Sequence, residues 1–201
     1  MNVHSLIPME QNPSKKVQIL ESALELIKEN GFHGCPISQV AKQASVAAGS
    51  VYTYFESKDE MILELYTYVK TEVAKKISEK DDPKKNFEAR FFDLWNNVTS
   101  LYREKPAFQS FLDQFSSSPY NTEAVQLECD PLGQWLEAFF KEGVESGQLK
   151  ALNPKIISIM VLGSLISLVR FTTYFKAKTA SAAQDLHLIP QMVWDGIKFQ
   201  S

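Results

Sequence analysis

The stretch Ser38-Gln39-Val40-Ala41-Lys42-Gln43-Ala44-Ser45-Val46-Ala47-Ala48-Gly49-Ser50-Val51-Tyr52-Thr53-Tyr54-Phe55 decides the fold of this chain. Val40, Ala41 and Ala44 fall on one face of a brief helix, and Ser38 reads as its N-cap. Ala48 to Phe55 reads as a second short helix, although Val51, Tyr52, Tyr54 and Phe55 taken alone would also suit a strand. The small Ala41 and Ala44 let two helices cross closely, and Val46 fills the angle between them. Gly49 and Ser50 leave the second helix slim enough to enter a DNA major groove. Ordinary helical cores also contain such pairs, so on spacing alone a plain packing unit remains the competing reading.

Working outward, Leu20, Ala23, Leu24 and Ile27 form the stripe of a helix that starts at Ser14 and stops at Asn30-Gly31. Residues 1–13 are polar and aperiodic and read as a flexible tail. On the other side, Ser57-Lys58-Asp59-Glu60 is a capping box opening a long helix with Ile62, Leu65, Val69, Val73 and Ile77 on one face. Further stripes run from Phe87 to Tyr102 and from Phe108 to Phe115, with Pro106 between them. A region with Leu132, Leu136 and Phe140 follows and is expected to kink at Pro131. Asn153-Pro154 opens an apolar helix to about Phe175, and a last helix spans roughly Pro190 to Phe199. No hairpin signal and no solenoid repeat interrupts these patterns. The fold class is all-α with about nine helices: an N-terminal three-helix helix-turn-helix domain over 14–60 and a C-terminal helical domain over 61–201.

The 201 residues are 44% apolar and 22% charged, as in an ordinary globular protein. A net charge of −3 excludes a polybasic nucleic-acid or membrane binder, so any DNA contact must come from a local patch. Cys35 and Cys129 stand alone, which points to a reducing, cytoplasmic setting and away from a disulfide scaffold. The apolar run Ile156 to Val169, broken by Ser158, Gly163, Ser164 and Ser167, reads as a buried helix too short for a membrane span. His4, His33 and His187 lack ligand spacing, so no metal is assigned. With no Gly-rich phosphate loop, nucleophile elbow or spaced His–carboxylate pair, no catalytic residue and no cofactor is assigned either. An enzyme assembled from distant residues is the competing class.

Ile19 to Ile27 with Asn30-Gly31-Phe32, then Ile37 to Ala41, Gly49 to Phe55 and Ser57-Lys58 resemble, in order and spacing, the N-terminal domain of TetR-type repressors. The resemblance covers about residues 15 to 66. It implies a homodimeric one-component regulator, a repressor of a palindromic double-stranded DNA operator, released by a small effector. By the same resemblance, Ser38 and Gln39 lie against the phosphate backbone. Gly49, Ser50, Tyr52 and Thr53 face the groove, and Tyr52 and Lys58 match phosphate-contacting positions. Three departures stand out. Ser45 replaces the usual turn glycine and implies mild strain there. Ala47-Ala48 replaces a serine-lysine pair, which removes a cap and a phosphate contact. Finally Lys15, Lys16, Lys28, Lys42 and Lys58 are balanced by Glu10, Glu21, Glu25, Glu29 and Glu56, with no arginine before Arg90. A neutral head of this kind implies few phosphate contacts and a shallow salt dependence. A degenerate head that binds protein instead of DNA is the alternative.

In the C-terminal half, Trp95, Tyr102, Phe111, Phe115, Trp135 and Phe139 are candidates to line an apolar or aromatic effector pocket, with Arg170 or Tyr174 as its polar anchor. Aromatics at helical spacing also simply bury one another, so a packed core competes with the pocket. Arg170 interrupts an apolar helix and needs a partner: an acidic ligand, a carboxylate of the same chain, or solvent at a dimer rim. Gly163, Ser164 and Ser167 share one side of that helix and, with the last helix around Trp194, would suit a symmetric dimer contact; intrachain packing is the other reading. Cys35 reads as a spectator thiol.

Overall fold

The computed structural model describes residues 14–122, 130–174 and 185–200, and among them nine α-helices and no strand. The expected tail at 1–13 lies outside the described residues. The chain divides into two compact units, one ending at Leu65 and one beginning at Tyr66, inside a single continuous helix.

In the N-terminal unit, α1 (Lys15–Asn30) starts where Ser14 Oγ accepts from the Val17 amide, and it buries Ile19, Leu20, Ala23, Leu24 and Ile27. Gly31 ends it at φ 68° and donates its amide to the Ile27 carbonyl. Helix α2 (Ile37–Gln43) begins two residues earlier than its serine suggests. Its N-cap is Pro36, whose carbonyl accepts from Gln39 and Val40, and Ser38 sits exposed inside the first turn. The proline ring already holds the φ needed at the helix entrance, so no side-chain cap forms. The turn to α3 passes through Ser45 at φ 55°, and the Val46 amide closes it on the Ala41 carbonyl at 3.0 Å.

Helix α3 covers only Ala48–Val51, shorter than the eight residues expected. Beyond it Tyr52-Thr53-Tyr54 form a turn, because β-branched and aromatic residues in a row hold a helix poorly and Phe55 is drawn into the core at 1% exposure. Ala47, the N-cap, makes no side-chain bond. Helix α4 (Lys58–Ser78) then opens with Ser57 Oγ accepting from the Glu60 amide, while Glu60 reaches back to the amide of Glu56.

The C-terminal unit contains the rest of α4 with α5 (Phe87–Glu104), α6 (Pro106–Ser116), α7 (Pro131–Glu145), α8 (Pro154–Tyr174) and α9 (Ile189–Ile197), the last preceded by a 3-10 turn at Leu186–Leu188. Pro131 does not kink a helix; it occupies the first helical position of α7, where a missing amide costs nothing, behind the cap formed by Asp130 on the Gly133 amide. Trp194 of α9 is buried against Phe87, Phe91 and Phe92 and turns away from the surface where a dimer contact was expected. Gly143 lets α7 approach Phe87 of α5: a Cβ there would lie 2.4 Å from the ring. Arg90, on α5, crosses between Asp81 and Glu142 with four hydrogen bonds and lies over the Phe139 ring.

Helix α8 is long and apolar enough to cross a membrane by length and composition, with a mean hydropathy of 1.9 over its most apolar 18 residues. Its packing shows two faces. Ile157, Val161, Leu165 and Val169 are buried in the bundle, whereas Ile156, Ile159, Met160, Gly163 and Ser167 are exposed.

Candidate functional site

Two separate places follow from this architecture, one in each unit. In the N-terminal unit, the turn at Ser45 and the closed core behind it leave Tyr52, Thr53 and Tyr54 turned toward solvent. Tyr52 is 58% exposed and Tyr54 38%, and Thr53 is exposed with its hydroxyl on the Gly49 carbonyl. Space beyond Gly49 is open, with no atom within 4 Å of where a Cβ would stand. Ser50 is half-buried, and Ser38 and Gln39 are exposed at the start of α2. Lys58 departs from a simple outward position: it is half-buried and donates to the Phe32 carbonyl at 2.6 Å, pinning the start of α4 to the end of α1. Lys16 pairs with Glu64 at 3.0 Å and Lys28 with Glu25 at 2.9 Å, so two further lysines are engaged within the unit; Lys42 is exposed on α2.

In the C-terminal unit a cavity of about 180 Å³ lies among α4, α5, α6, α7 and α8. Its apolar wall is Leu112, Phe115, Leu132, Leu162 and Ile166, and Tyr66, Lys70, Tyr102, Ser116 and Asn121 supply polar atoms. A larger open groove of about 640 Å³ runs along α5 and α8 past Trp95, Thr99, Tyr102 and Val169 to His187 and Pro190. Tyr102 belongs to the wall of both.

Of the predicted pocket residues, Trp95, Tyr102 and Phe115 line these spaces. Phe111, Trp135 and Phe139 do not: Phe111 is buried against Phe115, Phe139 is buried, and the half-buried Trp135 stacks on it. Arg170 finds its partner in the chain itself, donating through Nε and Nη2 to Asp113. The side chain of Tyr174 lies outside the described residues. Sequence reasoning missed Lys70, held at 2.7 Å by Asp130 and poised over the Tyr66 ring. The spacing of Tyr66 and Lys70, four residues apart on one helix, was the available signal.

Tyr102 is the unusual group here. Its side chain is buried, and among the described residues its hydroxyl has no hydrogen-bond partner. Leaving such a group unsatisfied costs about 1–3 kcal/mol. Burial, and then the negative charge of Asp113, push the phenol well above its ordinary range, so it stays a neutral donor. Asp113 is itself held by Gln109 Nε2 at 2.7 Å as well as by Arg170.

Comparison with known proteins agrees with both units. Residues 19–65 match the family described as bacterial regulatory proteins, tetR family, and residues 86–198 match the tetracyclin repressor-like C-terminal domain. The chain is 27% identical over 161 residues to a fatty acid metabolism regulator protein of Bacillus subtilis, covering 78% of this chain and 82% of that one. A TetR-family transcriptional regulator from Haemophilus influenzae shares the fold with a TM-score of 0.77 at 23% identity, over 92% of this chain and 97% of that one. The regulator FadR from Bacillus subtilis, solved in complex with stearoyl-CoA, gives 0.71 at 21% identity, over 90% and 98%. The two family matches together take in the exposed turn after α3 and the helices α5 to α8 beside the cavity, and by them the chain belongs to the TetR family: it is a helix-turn-helix, DNA-binding transcriptional regulator, not an enzyme.

Proposed function

We propose that this chain is a cytoplasmic, homodimeric repressor that binds a palindromic operator and is released by a ligand entering its C-terminal unit. The observation that carries the DNA reading is the exposed set Gly49, Tyr52 and Thr53, which the fold leaves without internal work. Ser38 and Gln39 would meet the backbone phosphates, and Ser50, Tyr52 and Thr53 the base edges. Lys58 retains donors for a phosphate beyond the one it gives to Phe32. The exposed apolar face of α8, with Gly163 and Ser167, would meet its symmetry mate. The effector class is a hydrophobic or aromatic molecule; the FadR neighbour was solved with stearoyl-CoA, and an alkyl chain here would lie along Leu112, Phe115, Leu162 and Ile166. The polar anchor expected at Arg170 moves to other groups, since Asp113 already occupies its guanidinium.

Helix α4 belongs to both units, so a ligand that prefers one tilt of it would change the spacing of two recognition segments. Half-sites one helical turn apart require about 34–36 Å, and a ligand acts only through its differential affinity for the two tilts. The test begins with selection of bound sequences from random DNA. Tyr52→Ala is expected to weaken the selected operator by about 1–3 kcal/mol. Its melting temperature should stay unchanged, since the side chain is exposed. No enriched sequence, or an unaffected variant, would favour the protein-binding alternative.

A further inference from the structure

Tyr102 is out of place as a core residue. Its side chain is buried and the residue borders both the cavity and the groove, yet its hydroxyl has no partner among the described residues. A phenol with no ligand to serve would be replaced at no loss by phenylalanine of the same shape. The surroundings also say what the hydroxyl can accept as a partner. The phenol is a donor, and the carboxylate of Asp113 next to it repels a second anion. The cation near Asp113, Arg170, is already committed to that carboxylate through two donors. Lys70 lines the cavity as well and is tied to Asp130 at 2.7 Å. A neutral acceptor on an apolar chain therefore satisfies Tyr102, whereas a bare hydrocarbon leaves it unpaired.

We propose that Tyr102 is the specificity residue of the effector site, donating its hydroxyl to an uncharged carbonyl oxygen, of an ester, thioester or ketone, on a ligand whose alkyl chain lies along Leu112, Phe115, Leu162 and Ile166. The proposal rests on the effector reading of the C-terminal unit. It selects neutral acyl derivatives over hydrocarbons and free acids.

The experiment uses the full chain and three probes of similar length: methyl octanoate, octanoate and nonyl chloride. Binding is followed by tryptophan fluorescence, Trp95 lining the groove beside Tyr102, and by calorimetry. Wild type is expected to bind the ester most tightly. Tyr102→Phe should lose about tenfold for the ester, with nonyl chloride unchanged. The unliganded variant should melt at the wild-type temperature or above it, because it discards an unpaired buried hydroxyl. A lower melting temperature would show that the hydroxyl serves the fold, and the proposal would fall. Equal loss for ester and chloride would indicate altered packing and also overturn it. If octanoate binds best and Lys70→Gln abolishes it while Tyr102→Phe does not, Lys70 is the reader and Tyr102 is not. If both neutral probes bind and Tyr102→Phe alters neither, the effector reading survives and this proposal fails. If no probe binds wild type, both fail together.

Discussion

Ser45 shows how a single residue can record the demands of a turn. The helix-turn-helix needs a left-handed conformation between α2 and α3, and the chain supplies serine at φ 55°. A side chain bearing a Cβ pays about 1 kcal/mol in that region, which glycine avoids. Ser45→Gly should therefore stabilise the N-terminal unit by about that amount in urea unfolding, while Ser45→Val should destabilise it. Cys35 makes a second point. It is fully buried, its thiol lies 3.8 Å from the Ala23 carbonyl, and burial pushes it up to about 11 against the opposing charge of Lys58. The folded chain thus keeps this proton where the unfolded chain releases it. Stability from this group is whole below the thiol's ordinary value of 9.0 and falls as pH rises toward about 11. Denaturant midpoints of wild type should drop across that window more steeply than those of Cys35→Ala.

At the scale of elements, Arg90 ties three segments together. Its side chain is 6% exposed and bonds Asp81 after α4 and Glu142 on α7, while the helix beneath it belongs to α5. The two carboxylates keep the guanidinium charged, and the rings of Phe87 and Phe139 lie against it. Replacing Arg90 by methionine would leave Asp81 partly buried without its partner. The expected loss is about 2–3 kcal/mol, below the full value for a buried pair because Glu142 is 55% exposed and water can reach it. Adding Asp81→Asn should return part of that loss in thermal melts. The aromatic stripe of α5 was readable from its period, and Asn86 caps it on the Ala89 amide as an N-cap should. The ion triad was not readable, since Asp81 and Glu142 are 9 and 52 residues from Arg90.

For the whole molecule the decisive surface is the outer face of α8. Ile156, Ile159 and Met160 are 59%, 61% and 44% exposed, and Met192 of α9 reaches 69%. Gly163 lies on that face with open space above it, so Gly163→Leu meets no obstacle within its own chain and gains helix propensity of about 1 kcal/mol. Sedimentation should show a wild-type dimer at micromolar concentration. The variant should sediment as a monomer with unchanged helical circular dichroism and a weakened operator complex. A Gly163→Leu dimer with wild-type operator affinity would place the interface on another surface.

The sequence by itself determined the helix inventory, the order of the helix-turn-helix and its family, because these depend on local period, caps and turn residues within a few positions. It also marked Ser45 as strained and α8 as the apolar helix of the chain. The tertiary structure decided what local patterns leave open. It set the length of α3, which ends at the buried Val51 while the chain turns to carry Phe55 into the same core. It turned Trp194 inward, joined Arg170 to Asp113 across 57 residues, and engaged Lys58 with Phe32. It also separated Tyr102 and Phe115, which border open space, from Phe111 and Phe139, which fill the core. Two aromatics with the same helical phase differ only in what stands opposite them, and that is set by the distances between helices far apart in the chain.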